Sequence, residues 1–140
     1  YQLIEHFGFF LVFHSGYDIA FPGNTQADVE RVARIAKHFA ELTIVATHVG
    51  GWRQWERAGV LAHCGNVYTE TSMTLTEMDD AAFMKALSMF DEDRVLFGSD
   101  SPWTDQKEMV DRTLRLKLPA RQLEKLMALN AACLLDMKAL

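Results

Sequence analysis

Three apolar runs in this 140-residue chain each lead into a side chain able to bind a metal or carry a proton. They are FFLVFHSG at His14, TIVATHVGG at His48 and RVLFGSD at Asp100. Neutral imidazole ligates divalent metals, and near neutral pH it also accepts and returns protons. A carboxylate at the end of a buried strand is costly unless it is paired, hydrogen-bonded or bound to metal. Ser15-Gly16 follow His14, and Gly50-Gly51 close the H-V-G-G turn after His48. Glycine lets backbone approach a ligand closely. Gly98 and Pro102 flank Asp100 and set a tight loop around it. Taken singly, each histidine can equally be a core residue satisfied by backbone. Asp100 could cap a helix, although Thr104 and Asp105 are better placed for that. Three such residues at the same point of a recurring pattern make a site.

The runs that must position them are rich in Val, Ile, Leu and Phe, which suits strands of a parallel sheet buried on both faces. Strands are predicted at Phe9–His14, Leu42–Thr47, Val67–Thr71 and Arg94–Gly98. Polar residues at the C-terminal ends of such strands fall where α/β folds build their active sites. Between them lie helical patterns. Thr25 with Asp28 resembles a capping box, and Val29, Val32, Ala33, Ala36, Phe39 and Ala40 share one helical face. A weakly amphipathic helix is predicted over Trp52–His63. A third begins at Asp79-Asp80 with Phe83, Leu87 and Phe90 buried. A fourth starts near Thr104 and buries Val110, Thr113 and Leu114. Pro119, at a first helical position, opens the terminal helical region. YQLIEH reads as the last turns of a helix stopped by Gly8, with further residues expected upstream of Tyr1.

Strand-helix units of roughly 30 residues are what repeated βαβ crossovers need. Four of them make half of a (β/α)₈ barrel, whose full length is typically about 250 residues. A small open four-stranded sheet is the competing arrangement. The expected class is therefore α/β, one partial domain over residues 1–140 with four parallel strands alternating with helices. Trp52 and Trp103 directly follow two of the site loops. They suit the wall of a small-molecule pocket, or simply cover the barrel end. Glu70 ends the third strand, facing in or out. His6, His38 and His63 lie in or beside predicted helices, as surface or packing residues.

Composition bounds the partners. The net charge of -5, with 14 basic and 19 acidic residues and no Lys/Arg cluster, gives no basis for nucleic-acid binding. The longest apolar run, Phe7 to Phe13, is too short to span a bilayer, and no basic leader precedes it. Cys64 and Cys133 form no C-x-x-C pair, so reduced, buried thiols in a cytoplasmic setting are expected.

The motifs FHSG, THVGG and LFGSDSPW, closed by LMALNAACLL, resemble the C-terminal half of the amidohydrolase superfamily. More narrowly, they resemble the metal-dependent (β/α)₈ barrel hydrolases grouped with aminocarboxymuconate-semialdehyde decarboxylase. The resemblance covers essentially the whole chain, and Asn130-Ala131 adds to it. It implies that His14 is a metal ligand, that His48 is a catalytic acid/base or, in two-metal members, a ligand, and that Asp100 binds the metal and moves protons. It also implies an H-x-H pair on the first barrel strand, which this chain lacks, so the first four strands are expected before Tyr1. A divalent ion, most simply zinc, lowers the pKa of its bound water to near neutral. The implied activity is hydrolysis of a small-molecule C–N or C–O bond. The same scaffold also accommodates non-oxidative decarboxylation, and a non-catalytic half-barrel module is the reading from another class. A half-barrel with two open edges is expected to pair, most simply as a homodimer.

Overall fold

The computed structural model describes residues 1–136. Four short strands form one parallel sheet: β1 Leu11–Phe13, β2 Ile44–Ala46, β3 Val67–Glu70 and β4 Val95–Leu96. Their order across the sheet is β1-β2-β3-β4, with Leu11 opposite Ile44, Ile44 opposite Val67, and Thr69 opposite Val95. A doubly wound open sheet reverses its strand order at a switch point. This sheet runs in chain order throughout, as a barrel wall does. The fold is half of a (β/α)₈ barrel, and every strand ends at the same edge.

Each strand is shorter than its apolar run because pairing stops where a loop turns toward the site. The run before His14 also departs from expectation: Phe9 is 66% and Val12 55% exposed, so β1 is not covered on both faces. It is an edge strand in the described chain. The runs of β2 and β4 are buried as expected.

Helices pack behind the sheet. A short α1, Gln2–His6, is followed by Gly8 in the left-handed region at φ 67°, where a side chain is disfavoured. In α2, Val29–His38, residues Val29, Val32, Ala33 and Ala36 are buried against the sheet, while Ala40 beyond its end is exposed. The expected capping box does not form. Asp28 is the N-cap residue, but its carboxylate instead accepts a hydrogen bond from Gln54 Nε2 at 2.8 Å. The helix expected over Trp52–His63 is broken into a 3₁₀ turn, Trp55–Arg57, and α3, Gly59–Ala62. A weak apolar stripe interrupted by Gly59 cannot hold one continuous helix.

After β3 come α4, Thr74–Glu77, and α5, Asp80–Leu87. Asp79 caps α5 by accepting from the Ala82 N–H, and Phe83, Leu87 and Phe90 are buried as the spacing predicts. In α6, Gln106–Arg115, Asp105 is the N-cap, accepting from the Glu108 N–H. Its buried residues are Met109 and Thr113, whereas Leu114 is half exposed. The buried face runs through Met109 and Thr113, the latter as expected, rather than through Val110 and Leu114. The terminal region is α7, Ala120–Glu124, a π turn at Lys125–Leu129, and α8, Asn130–Leu134. Pro119 sits at the N-cap of α7 rather than inside it.

The core is one cluster in which Leu42, Ile44, Leu61, Val67, Leu75, Phe83 and Met109 are essentially inaccessible. Both cysteines are free; Cys64 is buried as expected, but Cys133 is exposed. Among the described residues no helix is long and apolar enough to cross a membrane.

Candidate metal and acid–base site

His14 follows β1 directly, and His48 follows β2 by two residues, so parallel pairing brings the two loops side by side. The loops are stitched together by backbone. Trp52 N–H donates to Ser15 O at 2.8 Å, and Tyr17 N–H donates to Trp52 O at 2.9 Å. Gly16, at φ 93°, permits this contact, since a Cβ there would overlap the Trp52 backbone.

His48 is almost fully buried, and its Nε2 lies 3.2 Å from His14 Nδ1. Hydrogen-bond partners assign the tautomer of each ring. His14 Nε2 faces the Tyr17 carbonyl at 3.0 Å, so the proton is on Nε2 and Nδ1 holds a lone pair. His48 Nδ1 faces Ser72 O at 3.1 Å and Ser72 Oγ at 2.9 Å. With its proton on Nδ1, His48 aims a second lone pair from Nε2 at the first. Two neutral imidazoles in these tautomers have nothing to share. A cation or an added proton between them satisfies both.

That arrangement fits a metal. Metal-binding histidines characteristically donate the other ring N–H to a carbonyl or carboxylate, as His14 does to the Tyr17 carbonyl, and His48 Nε2 lies 3.2 Å from the free Nδ1 of His14. Among the described residues, however, no three His, Cys, Asp or Glu side chains converge as a complete ligand set.

The loop carrying His48 is strained. His48, Val49 and Gly50 all have positive φ, at 59°, 50° and 84°. For Val49, a β-branched residue, that conformation is rare and costly. Trp55 Nε1 holds the turn by donating to His48 O at 2.8 Å. Glu70 braces it from β3, its Oε1 accepting from the His48 N–H at 2.8 Å. Neither Trp55 nor the Glu70–Ser72 pair stands out in the sequence, because strand alternation leaves the direction of Glu70 open.

Asp100 lies at the same sheet edge, in the loop after β4, and also has positive φ, 60°. Among the described residues its carboxylate makes no hydrogen bond to either histidine. The two tryptophans diverge. Trp52 is buried, with its ring 6.5 Å from His14 and 6.2 Å from His48, whereas Trp103 is 80% exposed. The guanidinium of Arg53 stacks 4.9 Å above the Trp52 ring and 5.4 Å above that of Tyr17, and pairs with Glu77 at 3.2 Å.

A parallel half-barrel with paired histidines at its C-terminal edge has the layout of a (β/α)₈-barrel protein with its site at the strand ends. The amidohydrolase family model matches residues 1–137, and the chain belongs to that family. Among solved structures, an uncharacterized TIM-barrel protein of Bordetella bronchiseptica is 27% identical, with a TM-score of 0.82 over 97% of this chain and 48% of that one. An amidohydrolase of Burkholderia multivorans, solved with bound zinc, is 17% identical, with a TM-score of 0.77 over 97% of this chain and 55% of that one. A dihydroxybenzoic acid decarboxylase of Polaromonas sp. JS666, solved with manganese and the inhibitor 2-nitroresorcinol, is 15% identical, with a TM-score of 0.70 over 96% of this chain and 52% of that one. The chain thus spans about half the length of these structures. No curated protein matches it.

Proposed function

We propose that the complete protein is a metal-dependent enzyme of the amidohydrolase type that hydrolyses a C–N or C–O bond of a small molecule. The observation that carries this reading is the pair of opposed lone pairs on His14 Nδ1 and His48 Nε2. When bound, a divalent ion, most simply zinc, supplies Lewis acidity and brings a coordinated water's pKa to near neutral. His14 Nδ1 and the Asp100 carboxylate are the groups of this chain that would hold the ion, and ligands from outside the chain would complete the set. His48 Nε2 takes a proton from the attacking water and returns it to the leaving group. The strained loops of His48 and Asp100 favour a functional role for both, since such strain concentrates at active sites.

Buried Trp52, beside both histidines, would line the substrate side, and exposed Trp103, in the loop after Asp100, would meet substrate at the mouth. The free thiols suit a cytoplasmic setting. Non-oxidative decarboxylation on the same scaffold is the second reading, supported by the likeness to the dihydroxybenzoic acid decarboxylase. A substrate screen of the zinc- and manganese-loaded full-length protein separates them. Turnover of lactones or amides without release of carbon dioxide supports hydrolysis, and carbon dioxide from aromatic carboxylic acids supports decarboxylation. Turnover in neither panel and no metal uptake would overturn the proposal.

A further inference from the structure

We infer that Glu70, acting through the Ser72 hydroxyl, locks His48 in the tautomer whose Nε2 lone pair faces His14. The inference rests on the reading of His48 as the acid–base group and adds two positioning residues to it.

Glu70 ends β3 with its side chain largely buried, and three donors converge on it. Oε1 accepts from the His48 backbone N–H at 2.8 Å and from Ser72 Oγ at 2.7 Å, while Oε2 accepts from the Ser72 backbone N–H at 2.8 Å. A carboxylate engaged in this way has no hydrogen to give, so the one hydroxyl proton of Ser72 is committed to Glu70. The Ser72 oxygen can then offer His48 only a lone pair. It lies 2.9 Å from His48 Nδ1, which must therefore carry the imidazole proton. The Ser72 carbonyl could in principle do this alone, but it already accepts from the Thr74 N–H at 2.6 Å and from Thr74 Oγ1 at 3.0 Å. It is thus a shared acceptor, and the hydroxyl oxygen is the freer one.

If the carboxylate were removed, the Ser72 hydroxyl would be free to rotate and donate to Nδ1. The imidazole proton would then move to Nε2 and occupy the space between the two histidines. The fold reserves room for the carboxylate. A Cβ at Gly98, just beyond β4, would overlap Glu70 Oε2, so only glycine leaves the carboxylate in place there. Thr71 reinforces this junction, with Oγ1 3.1 Å from both Gly98 N and Gly98 O.

The test is a two-bond proton–nitrogen correlation of His48 in the full-length, ¹⁵N-histidine-labelled, metal-stripped protein. The wild type should show a single Nδ1–H tautomer. Glu70→Ala should gain a resolved Nε2–H population, because no acceptor remains to hold the Ser72 hydroxyl proton. Glu70→Ala with Ser72→Ala should return to Nδ1–H alone, because no hydroxyl remains to rotate. That rescue is not expected if Glu70 only holds the loop. Gly98→Ala, which displaces the carboxylate without altering its chemistry, should reproduce the Glu70→Ala spectrum and stands in for it if that variant does not fold. An Nε2–H wild type, an unchanged tautomer in both Glu70→Ala and Gly98→Ala, or a double variant that keeps the mixture would each overturn the inference. Zinc titration of the same wild-type sample reports separately on the metal reading. Failure to bind zinc removes that reading and leaves the tautomer result intact.

Discussion

At the scale of single residues, the chemistry is concentrated in two imidazoles whose free nitrogens face one another at 3.2 Å. Their roles differ under the proposal. His14 is a ligand and His48 moves protons, so His48→Asn should retain the metal and lose turnover by about 10²- to 10⁴-fold in kcat. Metal analysis and kinetics on the same preparation check this, and equal loss of metal would make His48 a ligand instead. The meeting of His14 and His48 at one sheet edge is legible in the sequence because each terminates an apolar run, as is the position of Asp100 after β4, but no contact of Asp100 with them is found among the described residues. What supports them is not legible there. Glu70, Ser72 and Trp55 act through hydrogen bonds to the His48 turn, and their contacts depend on strand direction and loop geometry that residue types do not encode.

At the scale of elements, side-chain amides fasten helices to strands. Asn130, buried in α8, donates from Nδ2 to Glu92 O and Val95 O, both at 2.7 Å, and so clamps the terminal region to β4. Asn130→Ala leaves two carbonyls without that partner, and should lower unfolding free energy by about 2–3 kcal/mol in a denaturant titration. Phe83→Ala, emptying a fully buried site in α5, should cost about 3–5 kcal/mol in the same measurement. Exposed pairs contribute little by comparison. Arg57 holds the Glu30 carboxyl below its usual range, so their contribution is present above the unfolded carboxylate pKa and is lost as pH falls through the lowered one. Helical periodicity marks α2 and α5, and continuous apolar runs mark the four parallel strands. Periodicity fails over Trp52–His63, where tertiary contacts decide the backbone: His48 O receives the Trp55 indole and Asp28 receives Gln54.

At the scale of the whole molecule, β1 is an edge strand among the described residues, and Phe7, Phe9, Val12, Ile19 and Phe21 around it are more than half exposed. Such an edge with an apolar border is a template for further pairing. The chain expressed alone should therefore associate, most simply as a homodimer, or aggregate. Sedimentation velocity showing a stable monomer would contradict this. The central claim is that His14 and Asp100 hold a catalytic divalent ion in the complete protein. Its most direct test is zinc titration and plasma mass spectrometry of the full-length protein beside His14→Ala and Asp100→Ala. The proposal predicts about one ion per barrel in the wild type and at least tenfold weaker binding in each variant. Unchanged stoichiometry and affinity in both variants would contradict it.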